Sequence, residues 1–373
     1  MARRSSSLAT LRLLLTSGVD VMSQMPVTSE HLHRVLPSFS LSMIRVDRRC
    51  APREHYSEFF DDFSHHLFAT SGHLFSANSD DPAAFGRLLR NADPVGALVD
   101  TRPEFLAGAT HQHLFKRNGI HHCLDLALRD AQGPLGILGI FREETGRRFS
   151  AADVTAARTL YPWLVHAFAR QPSDGPFDEF STAMLIASRD GKILWASEAA
   201  RRWLEDATGG PERAMIRNDG VLPEACKRVC RRLDAARSTR DTHDVPTETV
   251  AVPGGRLRLR AYAMEPEGDA TPRVGVHLTL ELSHPLRVLT ALGESGLSPQ
   301  LQRFAYRLWQ GVTPADIADE LQVGLHTMKS YRKELYTRLA VSGADELRAL
   351  LERQARAVTF DLKPHRPRVG RGA

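Results

Sequence analysis

The sequence predicts a multidomain α+β fold, in which two α/β units with antiparallel sheets precede an all-α unit of four helices. Strand-like alternation of apolar and polar residues recurs in residues 28–170 and again in residues 177–283, with helical segments beside the strands. From residue 284 onward the spacing of apolar residues is helical only. A chain of 373 residues has room for this arrangement, since roughly two to three domains are expected at that length.

The composition is that of an ordinary globular protein, with 42% hydrophobic and 25% charged residues. Lys and Arg number 49 against 44 for Asp and Glu, and the net charge of +5 permits nucleic-acid binding without demonstrating it. The four scattered cysteines indicate free thiols in a reducing cytosol. No apolar run approaches the roughly 20 residues that span a bilayer. We therefore expect a cytoplasmic protein with no membrane partner.

The first 27 residues are expected to form an N-terminal helix. Arg12 interrupts the apolar run of "RSSSLATLRLLL", and no small-residue cleavage site follows cleanly, so the pattern favours an amphipathic helix over an export signal. The segment "TSEHLHRVL" then begins at Thr28 with a helix-capping signature. That signature predicts the start of the first α/β unit.

In the first α/β unit, residues 28–170, "SFSLSMIRVD" alternates as a strand, and "CLDLALRDAQGPLGILGIFRE" is two strands around the turn "DAQG". Ser150 and Asp153 occupy the capping-box positions of a long final helix. The unit resembles a GAF-type sensor domain in its "GILGI" strand, in "RRFSAAD" at the entry to the last helix and in the final "LYPWLVHAFA".

Residues 171–176, "QPSDGP", have the composition of a linker, and a second α/β unit follows in residues 177–283. "TAMLIASRDGKILWAS" is a strand, a turn and a strand, after which Ser197 is placed to cap a helix. "ETVAVPGGRLRLRAYAME" and "RVGVHLTLE" supply three further strands. The unit resembles a PAS domain in the strand–turn–strand–helix order of "DGKILWASEAARRWL", with Ser197 where that family often has Asn.

The last part of the chain is predicted to hold a linker helix in residues 284–296 and a helical domain in residues 297–357. Thr313 is a good N-cap, Pro314 fits the first position of a short helix, and "QVG" turns the chain into a second helix. On that helix the core-facing positions follow the 3.6-residue spacing and are Met328, Leu335 and Leu339. The opposite, polar and basic face carries His326, Lys329, Ser330, Lys333 and Thr337. A preceding helix, which ends at Gly311, completes the core. Together the three helices predict a helix-turn-helix whose second helix enters a major groove.

The run from Leu297 to Leu347 resembles the LuxR-type (GerE-like) DNA-binding domain over the whole of that domain. Separated features agree, namely "LSP" at its start, Gly311, "IA" and Leu321 in the first short helix, and "TMK", "LY" and "RLAV" in and after the second. The resemblance implies a sequence-specific transcriptional regulator that binds double-stranded DNA as a homodimer. It also implies DNA contacts by Thr327, Lys329, Ser330 and Lys333.

The sequence departs from that family at several positions. Leu301 replaces the usual Glu, so the capping box from Ser298 is incomplete and Arg338 is expected to lack a carboxylate partner. The other departures are Tyr331 for the usual His, Arg332 at a typically aliphatic position and Ala344 for a frequent Arg. These changes bear on the target sequence and the affinity rather than on the fold.

Two leucine stripes predict contacts of the helical part. Leu347, Leu350 and Leu351 recur at helical spacing on an otherwise polar helix that Ser342 opens, and they are the predicted dimerisation surface. Leu286, Leu289 and Leu292 form a second stripe, suited to coupling the sensor units to the DNA-binding domain. Packing within one subunit accounts for either stripe about equally well.

Two clusters ahead of the helical domain support an alternative function, a signal-sensing protein whose helical domain serves protein–protein association and whose preceding units sense redox state or a metal. His111, His113, His121, His122 and Cys123 lie close together, but their spacing fits no closed zinc pattern, and no metal is expected. Cys226 and Cys230 share one helical face, where basic neighbours would lower the thiol pKa of a redox sensor. Structural histidines and two half-buried thiols are the favoured interpretations.

No enzymatic activity is expected, because the sequence has no nucleophile elbow, phosphate-binding Gly loop or paired-carboxylate signature. No catalytic residue and no cofactor are therefore assigned. The sensor-like units are expected to couple an unidentified signal to DNA binding, with a small-molecule effector and RNA polymerase as further candidate partners. Residues 358–373, rich in Pro, Gly and Arg, are predicted to be a disordered basic tail.

Overall fold

The computed structural model describes residues 2–58, 81, 85–98, 103–169, 177–208, 215–239, 245–252, 254–264 and 272–360. The predicted linker at 171–176 and residues 361–373 of the predicted tail lie outside the described residues. Within them the chain is a mixture of helices and two five-stranded antiparallel sheets, so the α+β class is confirmed. Within these same ranges, no helix has the length and apolarity needed to cross a membrane.

The helices are, in chain order, α1 (Ala2–Leu15), α2 (Val21–Val35), α3 (Phe85–Leu88), α4 (Pro103–Ala107), α5 (Ala151–Ala169), α6 (Glu198–Ala207), α7 (Glu224–Thr239), α8 (His284–Glu294), α9 (Pro299–Trp309), α10 (Pro314–Leu321), α11 (Leu325–Leu339) and α12 (Ala344–Ala357). Two short π-helical segments are Thr110–Phe115 and Met215–Asp219. The strands are β1 (Ser40–Val46), β2 (Pro52–Ser57), β3 (Val95–Leu98), β4 (His122–Asp130), β5 (Gly133–Arg142), β6 (Phe177–Ser188), β7 (Ile193–Ala196), β8 (Thr247–Val252), β9 (Gly255–Met264) and β10 (Arg273–Ser283).

The first sheet has the strand order β2-β1-β5-β4-β3. One face is buried against α1, α2 and α5, because apolar residues alternate along each central strand and point toward these helices. The predicted capping box of α5 is confirmed, since the backbone N–H of Ser150 donates to Asp153 at 2.9 Å and Ser150 Oγ accepts from the N–H of Asp153 at 3.3 Å. This sheet and its helices form the core of the first α/β unit.

The N-terminal segment differs from the expected single helix over residues 1–27. It forms two helices, α1 and α2, separated at Gly18, whose positive φ of 88° suits glycine. The predicted helix start at Thr28 is wrong, because Thr28 is buried inside α2 and Asp20 is the cap, accepting from the N–H of Ser23 at 3.0 Å. An earlier carboxylate cap thus extends this helix by two turns.

The second sheet repeats the same relative strand order, β7-β6-β10-β9-β8, and packs one face against α6 and α7. Ser197 caps α6 as predicted, with its Oγ accepting from the N–H of Ala200 at 3.2 Å. Position 255, at the start of β9, requires glycine, since a Cβ there would lie 2.0 Å from the carbonyl oxygen of Glu281 on the neighbouring strand β10. The chain then leaves β10 and enters α8 without an intervening residue.

The helices from α8 to α12 share a third core with part of α1. Leu286, Leu289 and Leu292 of α8 are buried in this core, so the second leucine stripe packs within the chain and joins β10 to the last helices. Helix α1 belongs to two cores at once, because Leu11 and Leu15 pack against the first sheet while Leu13 and Leu14 pack with the C-terminal helices. The N-terminal helix therefore connects the first α/β unit to the helical unit.

Candidate nucleic-acid interface

Helix α10 is short and is fixed at both ends. Thr313 Oγ1 accepts from the N–H of Asp316 at 3.3 Å, as the sequence predicts for an N-cap, and Ile317 and Ala318 are buried. On the outer side, Arg307 of α9 donates from Nε to Glu320 at 2.8 Å. Gly311 takes the predicted C′ role after α9, with φ of 82°. These contacts hold α10 against the core.

A three-residue turn joins α10 to α11. Gln322 adopts the left-handed conformation, with φ 55° and ψ 46°, whereas Gly324 is extended, with φ −71° and ψ 156°. Val323 packs on the core as the predicted apolar plug, and its N–H donates to the carbonyl of Ala318 at 3.0 Å. Helix α11 begins after Gly324 without a side-chain cap, so its first N–H groups remain available to an external acceptor.

Helix α11 has a buried face and an exposed basic face. Met328 and Leu335 are buried, and Leu339 packs at the edge of the same core, as predicted. Five of the predicted contact residues are exposed, namely His326, Lys329, Ser330, Lys333 and Thr337. The sixth, Thr327, is half-buried. In the described ranges neither Lys329 nor Lys333 has a carboxylate partner, so both ammonium groups face solvent unpaired.

Several residues at or near the departures from the LuxR-type sequence pattern make contacts within the chain. Arg338 does not lack a carboxylate, because its guanidinium lies 2.8 Å from Glu334 one turn earlier on the same helix. Tyr331 lies 6.3 Å from Phe304, ring centroid to ring centroid, at an interplanar angle of 59°. Leu301, in the position of the usual Glu, is buried in the core. Leu301 and Tyr331 are thus accommodated by packing, whereas Arg332 and Ala344 are exposed.

The predicted dimerisation leucines divide between the core and the surface. Leu347 and Leu351 are 1% and 0% exposed and pack inside the chain, which corrects their assignment to a partner-facing stripe. Leu350 is half-buried at the surface. Helix α12 begins after Gly343 rather than at Ser342, whose N–H donates to Glu346 Oε2 at 2.7 Å. Of the three leucines, Leu350 is the one that remains accessible for contact with a partner subunit.

The histidine cluster of the sequence disperses into local contacts. His111 bonds the carbonyl of Leu106 through Nδ1 at 3.0 Å, and His121 Nε2 lies 3.8 Å from Glu144. His122 opens β4, and Cys123 beside it is buried. Over the described part of the chain, no three His, Cys, Asp or Glu residues are grouped so that they could hold a metal ion.

The two cysteines of α7 are packed against the second sheet. Cys226 is fully buried and Cys230 is half-buried. Burial and the nearby Asp234 raise the pKa of Cys230 to about 11. The basic neighbours on α7 therefore do not lower the pKa of this thiol, contrary to the redox-sensor alternative. A thiol that stays protonated in this way is a poor nucleophile for oxidants.

A junction of charged residues joins the second sheet to the helical unit and was not foreseen from the sequence. His284, the first residue of α8, lies between Asp178 of β6 and Glu352 of α12. Trp309 donates from Nε1 to Glu352 at 2.8 Å, and Arg287 donates to Asp178 at 3.0 Å and to the carbonyl of Arg356 at 2.6 Å. A cavity of about 590 Å³ lies beside His284, Glu352 and Trp309.

Comparison with known proteins finds no family model and no curated protein that matches the chain. Among solved structures, it is similar to the VqmA dimer of Vibrio cholerae, described as a LuxR-type receptor, with 16% identity over 47% of this chain and 84% of that chain, at a TM-score of 0.19. A phage VqmA–DPO complex is 16% identical over 56% of this chain and 91% of that chain, at a TM-score of 0.22. The sensor region of a sensor histidine kinase is 13% identical over 68% of this chain and 92% of that chain, at a TM-score of 0.17. Overlaps this poor assign neither a fold nor a function.

Proposed function

We propose that this protein is a sequence-specific DNA-binding transcriptional regulator in which α10, the turn and α11 form a helix-turn-helix. The observation that carries the proposal is the face of α11 on which Lys329, Ser330 and Lys333 stand exposed while Met328 and Leu335 anchor the opposite face. A helix fixed in this way can enter a major groove as a rigid body, because the residues that hold it are not those that would touch DNA.

The chemistry of the exposed face suits DNA. Unpaired ammonium groups can neutralise phosphates or donate to the O6 and N7 acceptors of guanine, and Ser330 can donate to either a base or a phosphate. The N-terminus of α11 has no side-chain cap, so its backbone N–H groups can donate to a phosphate. The positive end of the helix dipole at the same place attracts the negative charge of that phosphate. Glu334 is the one acidic residue on this helix, and it is paired with Arg338. The face is therefore electropositive.

The sensor units are proposed to regulate this domain through two rigid connections. Helix α8 continues directly from β10 and packs between α9 and α12, while α1 inserts leucines into both the first core and the helical core. A signal that shifts either sheet relative to its helices would therefore be transmitted to the helical unit. We further propose that the protein binds DNA as a homodimer, since one recognition helix covers too few base pairs for specificity.

The decisive experiment starts from genomic DNA fragments that the purified full-length protein selects, followed by fluorescence anisotropy on one selected duplex. The double variant Lys329→Ala/Lys333→Ala is expected to bind about 30-fold more weakly or worse, because two contacts of about 1–3 kcal/mol each are lost. The control is Arg353→Ala/Arg356→Ala, which removes the same charge from exposed positions of α12. The control should bind within about threefold of the parent protein. Undiminished binding by the lysine variant would reject the assignment of α11 as the recognition helix.

If the protein selects no DNA fragment at any salt concentration, the helical unit serves protein association instead, which is the alternative function. Single variants separate the two kinds of DNA contact. If Lys333 reads a base, Lys333→Ala should weaken binding to the selected duplex more than binding to unrelated duplexes. If Lys333 meets a phosphate, the loss should be about equal for all duplexes.

A further inference from the structure

A buried carboxylate in the first sheet is only partly satisfied. Asp125 lies in the middle of β4 and is 8% exposed. Its Oδ1 accepts from the thiol of Cys123 at 3.0 Å, whereas Oδ2 is buried without a hydrogen-bond partner. An acceptor removed from water and left unpaired destabilises the folded chain, so such groups are uncommon unless something outside the chain satisfies them.

The sheet around Asp125 is built from small residues. Its cross-strand neighbours are Gly96 on the edge strand β3 and Gly139 on β5, and Ser42 of β1 is the next residue in the same row. Residues paired directly across antiparallel strands point to one face, so the carboxyl group stands above its neighbours. A Cβ at Gly96 would meet no atom within 4 Å, which shows open space beside the carboxyl group at the sheet edge.

Aromatic rings line the other side of the carboxyl group. The ring of Phe141 lies over Gly139, where a Cβ would be 2.8 Å from Phe141 Cζ and 3.5 Å from Asp125 Oδ1. Phe115 is 5.9 Å from Phe141 between ring centroids, and Phe105 is 6.2 Å from Phe115, both tilted. The three phenyl rings therefore form a row of neighbours, of which Phe141 is the one next to Gly139 and the carboxyl group.

The electrostatic surroundings of Asp125 favour a hydrogen-bond donor beside its carboxylate. Burial raises the pKa of Asp125 to about 6, and the hydrogen bond from Cys123 offsets part of that effect. Within the described ranges no salt bridge reaches this carboxylate. At neutral pH the group is therefore mostly ionised in an apolar site without a counter-charge. An N–H donor, above all a cationic one, would satisfy both the charge and the unpaired oxygen.

We propose that this face of the first sheet binds a small flat organic ligand that carries an N–H donor group, of the amidine or protonated N-heterocycle class. Asp125 Oδ2 accepts from the donor, the open space at Gly96 admits the ligand, and the phenyl rings of Phe141 and Phe115 pack on its apolar part. The ligand class deepens the proposed regulatory function by naming its effector, and in that respect it rests on that function. Binding itself is independent of DNA.

The test uses benzamidine as the probe and benzoate as its counterpart of similar size with the opposite charge, added to the full-length protein without DNA. Isothermal titration should show saturable binding of benzamidine and none of benzoate. Asp125→Asn keeps the shape of the side chain, removes the charge and should weaken benzamidine at least tenfold. The matched control is Glu294→Gln, an exposed carboxylate on α8, which should leave the affinity unchanged. Equal binding of benzamidine by the Asp125→Asn protein, or equal binding of benzoate by the parent, would overturn the proposal.

A second variant keeps the test decisive if Asp125→Asn fails to fold. Gly96→Leu places a side chain in the open space on the face that carries Asp125, at a position without a positive φ and without an atom within 4 Å. The variant should fold normally and lose benzamidine binding, and retained affinity would contradict the proposed entrance. Because every measurement is made without DNA, a protein that binds benzamidine but no DNA would refute the proposed function and leave this inference standing.

Discussion

His284 Nε2 lies 2.8 Å from Glu352 Oε2, while Nδ1 of the same ring lies 2.5 Å from Asp178 Oδ2, so one imidazole joins the first strand of the second sheet to the last helix. Both ring nitrogens can donate only when the ring is protonated. Burial alone would lower the pKa of His284, but the hydrogen bonds to the two carboxylates outweigh it and hold the pKa above the ordinary value of 6.5. The junction is therefore sensitive to pH.

Raising the pH should loosen this junction. A histidine whose pKa is raised by folding contributes its full stabilisation below the ordinary value of 6.5, and the contribution is lost as the pH rises through the higher folded value. We expect His284→Ala to destabilise the protein by about 1–3 kcal/mol at pH 6 and by less at pH 9. Thermal unfolding at both pH values measures this difference. A penalty for His284→Ala that does not change with pH would exclude a charged ring.

Asp125 should give a pH dependence of the same sign as His284, but at lower pH. Its carboxyl pKa is raised from 3.8 to about 6, so the folded protein keeps a proton that the unfolded chain has lost. Stability should therefore fall as the pH rises from about 4 to about 6, by roughly 3 kcal/mol for a shift of about two units. Asp125→Asn should abolish that fall in denaturant titrations across the range. Parallel curves for the parent and the variant would mean that the carboxyl group titrates normally.

The turn between α10 and α11 offers a test of backbone strain. Gln322 has a positive φ of 55°, which is unfavourable for a residue with a Cβ by about 1–2 kcal/mol, whereas glycine adopts it freely. Gln322→Gly should stabilise the protein by about 0.5–1 kcal/mol after the greater flexibility of glycine in the unfolded chain is subtracted. Gly324→Ala is the matched control, because φ there is −71° and a Cβ meets nothing within 4 Å. A destabilised Gln322→Gly protein would show that the glutamine side chain stabilises this turn.

Local chemistry explains which parts of the fold the sequence predicts. Ser197 and Thr313 cap their helices, and Gly311 ends α9, because each acts on backbone groups a few residues away. His284 and Asp178 are separated by 106 residues, and no periodicity reports that they meet. Helical spacing likewise indicates that Leu347 has an apolar neighbour without saying in which chain. The site on α11 follows from local pattern, whereas the sites at His284 and Asp125 depend on tertiary contacts.

Salt should weaken DNA binding steeply if the exposed lysines of α11 meet phosphates. With about four to six phosphate contacts per subunit, the affinity should fall with a log–log slope of about −4 to −5 per subunit. Anisotropy titrations from low to moderate salt measure the slope, and Lys329→Ala should reduce its magnitude by about one if Lys329 neutralises a phosphate. A slope near zero would mean that binding does not release counterions and would favour the association alternative.

Leu350 is the remaining candidate for a dimer contact on α12, because it is half-buried at the surface while Leu347 and Leu351 fill the core of their own chain. Leu350→Glu should therefore leave the thermal unfolding temperature nearly unchanged, yet abolish cooperative occupancy of two half-sites one helical turn apart. Leu347→Glu is the contrasting variant, since a carboxylate forced into the core should destabilise the fold by several kcal/mol. Mobility-shift titrations on duplexes with one and two half-sites distinguish the outcomes. Cooperative binding by the Leu350→Glu protein would show that subunits pair through another surface, because a charge at the centre of an apolar contact would disrupt it.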